Sequence, residues 1–376
     1  MVRSVFDITV DFKKSHGSYL YDKKTEAYFF DMFSMFSSLP LGYNHKIFKK
    51  EFDEKIKYIS HLKMCNNLFH SDEIESFERK FLEIAFQPNL HFTSTGALAV
   101  ESAFKCAYEY IRDPGTMVVG TSHSFHGINS WGVATDRKLS SVRDRVINYP
   151  KHNWENVPLE DLGNFLDQNS SKISSCIVEP IQCTAGDLYL DPIELRKVQE
   201  ICKKNDICFI VDEVQTGFGV TGNFWYSNKI ELKPDILIFG KKSQISGIMT
   251  NNKYSEAIKS KHRKLEVTFD GDLIDACRSE YILKAIKKYS LLEKVSRNCK
   301  KLRDEISESF LNYRSEGHLI AFDFLSKEKR DGFVKRAYDN KLLVNPTSEK
   351  TVRLRPNLAI SEEEIEDFLI KIKKSI

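Results

Sequence analysis

The chain has 376 residues, of which 41% are hydrophobic and 29% charged, a composition typical of a globular protein rather than a disordered one. Lysine and arginine exceed aspartate and glutamate by 56 to 53, a net charge of +3. This small excess argues neither for a basic nucleic-acid-binding tail nor for a polybasic membrane anchor. The first residues, MVRSVFDITVDFKKS, lack the apolar core of a signal peptide, and no apolar run approaches the ~20 residues of a membrane span.

The N-terminal segment, residues 1–45, contains two short strand patterns, YLYD (19–22) and AYFFDMF (27–33). A segment this short cannot bury a core of its own. We therefore expect residues 1–45 to pack with the C-terminal part of the chain.

Residues 46–275 alternate apolar strands with amphipathic helices, which predicts a large α/β domain with a mostly parallel sheet. Apolar residues occupy both faces of the strands, as expected where helices cover a sheet on both sides. The predicted buried strands are MVVG (117–120), SCIVEP (175–180), ICFIVDE (207–213) and ILIFG (236–240).

Two helices between these strands have clear patterns. In residues 96–111, one apolar stripe follows i, i+3, i+4 spacing; its members are Val100, Ala103, Phe104, Ala107 and Ile111. In residues 191–205, Asp191 suits the N-cap and Pro192 the first turn.

The pattern changes in residues 276–376. Long charged helices are followed by three short strand patterns, HLIAFDF, KLLVN and TVRLRP, and by a closing helix, SEEEIEDFLIKIKKSI. This order predicts a smaller α+β domain.

The chain contains eight cysteines, without a C-x-x-C pair and without histidines at zinc-ligand spacing. We expect reduced thiols, a cytoplasmic protein and no metal site, because disulfide scaffolds belong mainly to short secreted chains.

Four segments place polar groups at predicted strand ends or helix starts, where open α/β sheets bind ligands. They are TSTGALAVES (93–102), SHSFHG (122–127), FIVDEVQTGFG (209–219) and ILIFGKKSQISG (236–247). Taken alone, each segment has a simpler explanation. In the same order, these are a small-residue helix start, a core phenylalanine with a structural histidine, an aspartate that caps a turn, and lysines that meet solvent.

Together the four segments supply what pyridoxal phosphate (PLP) requires. The helix start at Gly96 offers free amides to a phosphate, and Phe125 offers a ring to stack on. Asp212 ends a buried strand, where a carboxylate needs a partner such as a pyridinium N–H. Lys241 offers an amine for a Schiff base.

The segment VDEVQTGFGVTGNFWYSNKIELKPDILIFGKK resembles the signature of class III, fold type I aminotransferases. More narrowly, five segments resemble the L-lysine 6-aminotransferases: YFFDMFSMFSSLPLGYNH, TGALAVESAFKCAY, FGKKSQISGIM, VTFDGDLIDACRS and TVRLRPNLAIS. The resemblance covers nearly the whole chain. It implies the fold type I architecture, a large domain with a smaller α+β domain, and amino transfer from an amine to a keto acid or aldehyde.

The resemblance also implies roles around the cofactor ring. Lys241 is expected to form the Schiff base, Asp212 to pair with the pyridine nitrogen and Gln215 to bind the ring oxygen. Phe125 is expected to stack on the ring, and Glu179 to lie near its oxygen side.

For the phosphate and the substrate, the resemblance implies four further residues. Gly96 and Ala97 are expected to give amides to the phosphate, and Arg353 to bind a substrate carboxylate. Thr268 is expected to reach the phosphate of a neighbouring subunit's cofactor, which implies a homodimer.

Two positions depart from the lysine 6-aminotransferase pattern. Ile128 stands where those enzymes have an arginine that helps hold 2-oxoglutarate, and Thr184 stands where they have a glutamate that screens the carboxylate-binding arginine. An isoleucine cannot pair with a carboxylate, and an unpaired carboxylate in a closed site costs a few kcal/mol. We therefore expect an acceptor with one carboxylate and an apolar or hydroxylated remainder, unless Arg355 or Lys242 replaces the missing cation.

Two other functions remain open on the sequence alone. The same fold and cofactor serve aminomutases and decarboxylases, and a dimeric homologue with a non-catalytic pocket is a third class. Accumulation of pyridoxamine phosphate after an amine is added would distinguish an aminotransferase from both.

Overall fold

The computed structural model describes residues 6–64, 69–111, 116–129, 154–260 and 264–376. The chain forms two compact units. The larger consists of Ile56–Phe218 and Asn223–Leu283, and the smaller of Met1–Lys55, Gly219–Gly222 and Lys284–Ile376. The sequence did not indicate that 219–222 belongs to the smaller unit, and the division at residues 45 and 275 stays a prediction.

The strands in chain order are β1 (Tyr19–Asp22), β2 (Ala27–Asp31), β3 (Asn89–Thr93), β4 (Met117–Thr121), β5 (Trp154–Val157), β6 (Ile173–Val178), β7 (Ile181–Gln182), β8 (Leu188–Tyr189), β9 (Cys208–Asp212), β10 (Ile236–Phe239), β11 (Ser246–Thr250), β12 (Leu311–Glu316), β13 (Leu319–Asp323), β14 (Leu342–Leu343), β15 (Asn345–Thr347) and β16 (Thr351–Leu354).

The α-helices are α1 (Lys50–Ile56), α2 (Asp72–Leu82), α3 (Gly96–Ile111), α4 (Leu159–Gln168), α5 (Pro192–Lys204), α6 (Tyr226–Lys229), α7 (Glu256–Lys259), α8 (Leu273–Lys288), α9 (Leu291–Ile306), α10 (Lys327–Asp339) and α11 (Glu362–Lys373). Ser34–Ser37 is a single turn with positive φ angles. Short 3₁₀ turns occur at Ile59–His61, Ser170–Lys172, Lys241–Ser243, Asn252–Tyr254 and Ser307–Ser309.

The larger unit contains a seven-stranded sheet in the order β3-β11-β10-β9-β6-β4-β5. The pairs from β10 through β9, β6 and β4 to β5 are all parallel. Only β11 runs antiparallel to its neighbours β10 and β3. The predicted mostly parallel sheet is thus confirmed.

The four predicted central strands form because their apolar side chains are covered on both faces. Every residue of β6, β9 and β10 is buried. On one face, Val100, Phe104 and Ala107 of α3 pack in one cluster with Ile210 and Ile238 of the sheet. Burying each large apolar side chain stabilises the fold by about 1.5–3 kcal/mol.

The ends of the helices follow their local chemistry. The Asp191 side chain accepts the amide of Ile193 at the start of α5, with Pro192 in its first turn, as the sequence predicts. Thr95 Oγ1 accepts the amide of Leu98 at the start of α3. That cap uses one orphan donor and leaves the first amides of α3 without a carbonyl inside the helix.

The parallel register brings the carboxyl ends of the strands to one edge. Val178 of β6 pairs with Val211 of β9, and Asp212 of β9 pairs with Ile238 of β10. The segments after β4, β6, β9 and β10 therefore leave the sheet side by side. This edge is where the candidate residues were predicted to meet.

The smaller unit has an antiparallel sheet in the order β12-β13-β16-β15 and a second sheet in the order β1-β2-β14. The second sheet joins the N- and C-terminal segments, because Leu342 of β14 pairs in parallel with Phe30 of β2. Phe30, Phe322 and Phe368 lie in its buried core. A capping box between Ser361 and Glu364 begins α11.

Candidate active site

The carboxyl edge of the large sheet surrounds a cavity of about 250 Å³. Nine of the eleven residues singled out from the sequence line it: Gly96, Ala97, Phe125, Ile128, Glu179, Thr184, Asp212, Gln215 and Lys241. They come from the end of β9 and from the segments that follow β3, β4, β6, β7, β9 and β10. The fold therefore gathers residues that are far apart in sequence into one small volume.

The start of α3 forms one wall of the cavity. Gly96 and Ala97 are its first residues, so their amides have no acceptor within the helix. Gly127, in the loop after β4, passes close to this helix start with φ +98°, and a Cβ on it would lie 2.8 Å from Ala97 Cβ. A Cβ on Gly96 would lie 3.2 Å from Val214 Cγ1. The helix start is an amide-lined recess that larger residues would close.

Asp212, the last residue of β9, is buried and accepts two hydrogen bonds. Its Oδ1 accepts the amide of Val214 at 3.0 Å, and its Oδ2 lies 2.8 Å from Nδ1 of His126. The first contact is the turn-capping role that the sequence left open. The second contact joins β9 to the loop after β4 and was not anticipated.

Glu213 points away from this cavity, as the alternation of a strand requires. It is fully buried, and its carboxylate accepts the amides of Tyr226 and Ser227 and the hydroxyl of Thr216. Burial raises the pKa of Glu213 although these hydrogen bonds oppose the rise. Of the two adjacent acids, Glu213 therefore stabilises the backbone at Tyr226 and Ser227, whereas Asp212 lines the cavity.

Glu179, which follows β6, is a second buried carboxyl group in the cavity. Its Oε1 accepts the amide of Phe125 at 2.7 Å. Burial, with the charge of Asp212 nearby, raises the pKa of Glu179 well above its usual value, although the Phe125 amide and the charge of Lys241 act in the opposite direction. The neutral acid is thus stabilised over a wider pH range than for an exposed glutamate.

Gln182 fixes the loop that carries Phe125. The buried Nε2 of Gln182 lies 2.6 Å from the carbonyl oxygen of Ser122, 3.1 Å from Thr121 Oγ1 and 3.2 Å from Ser124 Oγ. Glu179 and Gln182 belong to the same motif, VEPIQ. This motif therefore attaches the aromatic loop to the sheet at both ends.

Lys241 lies in the short turn between the antiparallel strands β10 and β11. It begins a 3₁₀ turn and has φ +53°, a left-handed conformation that is uncommon for lysine. Unusual backbone angles held by surrounding structure are frequent at functional sites. Lys242, next to it, is only 2% exposed, so the idea that it meets solvent is wrong.

Ile128 and Thr184 both line the cavity, and the side chain of Ile128 is exposed, at 67%. Among the cavity-lining residues in the described ranges, Lys241 is the only lysine or arginine. Arg355 is fully buried in the smaller unit, where its Nη1 donates to the carbonyl oxygens of Ile320 and Leu354. The Nη1 group of Arg355 is therefore occupied by the backbone, which argues against Arg355 as a replacement cation.

The two remaining candidates, Thr268 and Arg353, are not among the lining residues of this cavity. Thr268 is exposed in a turn of the larger unit, between Val267 and Phe269. Arg353 is buried in β16 of the smaller unit, and its Nη2 lies 2.8 Å from the side-chain oxygen of Asn345 in the amide orientation that satisfies both groups.

Three observations concern other classes of site. Among the described residues, no group of three or more histidine, cysteine, aspartate or glutamate side chains is arranged to hold a metal ion. Seven cysteines are free and buried, and Cys65 lies outside the described residues. Within the described ranges, the helices are too short or too polar to cross a membrane.

The cavity fits PLP by its chemistry. A phosphate suits the amide-lined recess at the start of α3, and a carboxylate that is already hydrogen-bonded on both oxygens suits a protonated pyridine nitrogen. The cavity also offers the other groups that PLP requires: the amine of Lys241, the half-buried aromatic ring of Phe125 and the side-chain amide of Gln215.

Comparisons with known proteins agree with this chemistry. The family model of class-III aminotransferases matches residues 1–376. The chain is 28% identical over 415 aligned positions to the L-lysine-epsilon aminotransferase of Mycobacterium tuberculosis, covering 98% of this chain and 92% of that protein. It is 26% identical to the 4-aminobutyrate aminotransferase of Saccharomyces cerevisiae, covering 97% of this chain and 89% of that protein.

Solved structures give the same result. The lysine aminotransferase of M. tuberculosis, in its internal aldimine form, superposes with a TM-score of 0.93 at 27% identity and covers 100% of this chain and 96% of that one. The ornithine aminotransferase of Toxoplasma gondii, at 23% identity, shares the fold with a TM-score of 0.86. The chain thus belongs to the class III aminotransferases and is a PLP-dependent transaminase of fold type I, similar to the lysine aminotransferases.

Proposed function

We propose that the cavity at the carboxyl edge of the large sheet is the transamination site and that Lys241 is its reactive amine. The observation that carries this proposal is the convergence of Lys241, Asp212, Gln215 and the start of α3 on one cavity. When bound, PLP supplies an electron sink for the carbon that bears the amine.

In this proposal the protein's residues divide the remaining work. Gly96 and Ala97 would hold the phosphate through their amides, and Phe125 would stack on the ring. Gln215 would bind the ring oxygen, and Glu179 would lie near that side of the ring. Asp212 holds a proton on the pyridine nitrogen. Lys241 Nζ would hold the cofactor through its carbonyl carbon, and as a free amine it would accept the proton from the amine-bearing carbon of the substrate.

An absorbance spectrum with matched lysine variants tests this assignment. We expect a Schiff-base band near the visible edge in the wild type, its loss in Lys241→Ala, and its retention in Lys242→Met, which keeps the buried stem and removes the charge. A Lys241→Ala variant that keeps the band would overturn the role of Lys241.

The same experiment identifies the amino donor. L-lysine, L-ornithine, cadaverine, L-glutamate and L-alanine are added in turn, and bleaching of the band with formation of pyridoxamine phosphate marks the donor. The similarity to lysine and 4-aminobutyrate aminotransferases supports a donor that presents a terminal amine. If no amine of the panel bleaches the band, the terminal-amine proposal fails.

We further propose an acceptor with one carboxylate and an apolar or hydroxylated remainder. Ile128 and Thr184 support this because both line the cavity and neither carries a charge. In this proposal Arg353 binds that single carboxylate, and without the glutamate that Thr184 replaces it has no competing anion at that position. The distal carboxylate of 2-oxoglutarate would meet the uncharged Ile128 side chain and gain no ionic partner from it.

The active form is proposed to be a homodimer in which Thr268 reaches the cofactor phosphate of the partner subunit. The exposed apolar side chains that flank Thr268, Val267 at 43% and Phe269 at 47%, support burial of this turn against a second copy. We also propose that the enzyme works in the cytoplasm, where buried free cysteines such as Cys176 and Cys208 stay reduced.

A further inference from the structure

A second cavity, of about 380 Å³, lies within the smaller unit. Its walls come from residue 17 and from residues 41–46, 289–294 and 357–364, so three distant parts of the chain meet there. The volume falls in the range of about 300–1,000 Å³ that small-molecule sites occupy. Among the described residues, none lines both this cavity and the candidate active site.

Among the described lining residues, three carry basic side chains: His45, Lys46 and Lys294. Lys46 Nζ lies 4.8 Å from the centre of the Tyr289 ring, and the centre of the His45 ring lies 5.5 Å from the same point. Lys294 Nζ donates to the carbonyl oxygen of Ala359 at 3.2 Å. The two ammonium groups are thus held by an aromatic face and a backbone carbonyl, neither of which carries a full negative charge.

The one acidic side chain among the described lining residues is Glu364, and its carboxylate is already engaged. Its Oε1 accepts the amide of Ser18 and its Oε2 that of Ser361, both at 2.7 Å. Burial lowers the pKa of Lys294, although the charge of Glu364 opposes this shift. The cavity therefore has two lysine charges against one carboxylate charge, which two backbone amides already stabilise.

His45 adds a hydrogen-bond donor rather than a third charge. Its Nδ1 accepts the amide of Ile47 at 3.2 Å, so the hydrogen of the neutral ring is on Nε2. Burial, with the charges of Lys46 and Lys294, lowers the pKa of His45 to about 4. At neutral pH the imidazole is therefore uncharged and has an N–H to donate.

We propose that this cavity binds a small organic phosphate, with the phosphate paired to Lys46 and Lys294 and the organic part against Leu41, Tyr289 and Leu291, which supply an apolar part of the wall. A phosphate monoester carries about two negative charges at neutral pH, which matches the two ammonium groups. This site is additional to the transamination site and does not depend on its chemistry. The simpler alternative is that the two lysines form an ordinary solvated face.

Calorimetric titration of the PLP-loaded enzyme with phenyl phosphate tests the proposal. Free PLP is removed first, because it is itself an organic phosphate. We expect saturable binding to the wild type, and about 10-fold or more weaker binding to Lys46→Met and to Lys294→Met, each of which keeps an apolar stem and removes one charge. Lys294→Arg keeps the charge and should bind within about threefold of the wild type.

Lys300→Met is the matched control, because Lys300 is an exposed lysine of the same helix, α9, and does not line the cavity. Its affinity for phenyl phosphate should equal that of the wild type. Thermal unfolding shows whether the variants remain folded. Absence of saturable binding to the wild type overturns the proposal, and so does a folded Lys46→Met or Lys294→Met variant with wild-type affinity.

Two further anions test the chemistry of the ligand. Inorganic phosphate lacks the organic part, and phthalate carries two carboxylates on a ring in place of the phosphate. We expect both to bind more weakly than phenyl phosphate. Equal binding of inorganic phosphate would overturn the role of the apolar wall, and equal binding of phthalate would overturn the preference for a phosphate. The Schiff-base band of the same samples reports the transamination site separately, so a failure of either proposal leaves the other standing.

Discussion

Two uncharged side chains, Ile128 and Thr184, line the cavity and carry the proposal on acceptor choice. Ile128 is exposed and lines the cavity, and the sequence resemblance implies an arginine at its position in the lysine 6-aminotransferases. Its neighbour in the cavity, Thr184, is also uncharged. These uncharged side chains support the proposed acceptor, whose far end carries no charge.

Ile128→Arg should therefore change acceptor preference. We expect the ratio of kcat/KM for 2-oxoglutarate to kcat/KM for pyruvate to rise by about 10-fold or more, because a guanidinium can pair with the distal carboxylate. The ratio is measured with the amino donor that bleaches the Schiff-base band of the wild-type enzyme.

Ile128→Gln is the matched control, since it adds length and polarity without charge, and its ratio should change little. An equal rise in both variants would mean that shape rather than charge limits the acceptor. A wild type that already prefers 2-oxoglutarate to pyruvate would contradict the specificity argument.

The chemistry of individual residues could be inferred from the sequence, but their pairing could not. The motif around Asp212 shows that a carboxylate ends a buried strand. It does not show that Glu213 faces the other way to hold the amides of Tyr226 and Ser227, or that His126 reaches Asp212. Those contacts depend on how the loop after β4 packs beside β9, which is a tertiary property.

At the scale of elements, apolar runs predicted the central strands because burial on both faces leaves a strong pattern. The predicted strand 175–180 is observed as Ile173–Val178, and 207–213 as Cys208–Asp212. The antiparallel strand β11 was not predicted, because a short turn from β10 rather than a helical crossover sets its direction. That turn carries Lys241, so the missed strand contributes to the site.

Two glycines in regular elements should respond to alanine in opposite ways. Gly332 lies within α10, where a Cβ would meet no atom closer than Arg336 Nη1 at 3.4 Å. Gly332→Ala should raise the free energy of unfolding by about 0.5–1 kcal/mol, because alanine loses less backbone entropy in a helix. In β11, a Cβ on Gly247 would lie 2.3 Å from the carbonyl oxygen of His91, so Gly247→Ala should destabilise the fold by about 1–3 kcal/mol.

Denaturant unfolding at one fixed protein concentration measures both effects. The prediction for α10 fails if Gly332→Ala lowers the unfolding midpoint, and the prediction for β11 fails if Gly247→Ala leaves it unchanged. Helix α10 lies in the smaller unit and β11 in the larger. A probe in each unit would therefore also show whether the two units unfold together.

At the scale of the whole molecule, the turn around Thr268 supports the proposed homodimer. Ser94, just before α3, donates its amide to Asp270 Oδ1 at 3.3 Å and its hydroxyl to the carbonyl of Phe269. The turn is thus fixed beside the helix start, yet Thr268 itself is exposed and does not line its own chain's cavity. A fixed, exposed hydroxyl between two exposed apolar side chains suits an interface in which it completes a neighbouring site.

Mixed dimers decide whether Thr268 acts on its own cofactor or on the partner's. One subunit carries Lys241→Ala and the other Thr268→Asp, whose charge repels a phosphate, and differently tagged, co-expressed chains allow isolation of the heterodimer. If Thr268 acts in the partner's site, the subunit that keeps Lys241 receives an intact Thr268 from the Lys241→Ala subunit. One site is then complete, and the heterodimer should recover about half of the wild-type activity and PLP absorbance. If Thr268 acts within its own chain, both sites carry a defect, and the heterodimer should be as inactive as either parent.

Thr268→Ser in place of Thr268→Asp is the control, because serine keeps the hydroxyl. That heterodimer should retain its single working site under either arrangement. Its failure would show that the paired chains assemble incorrectly.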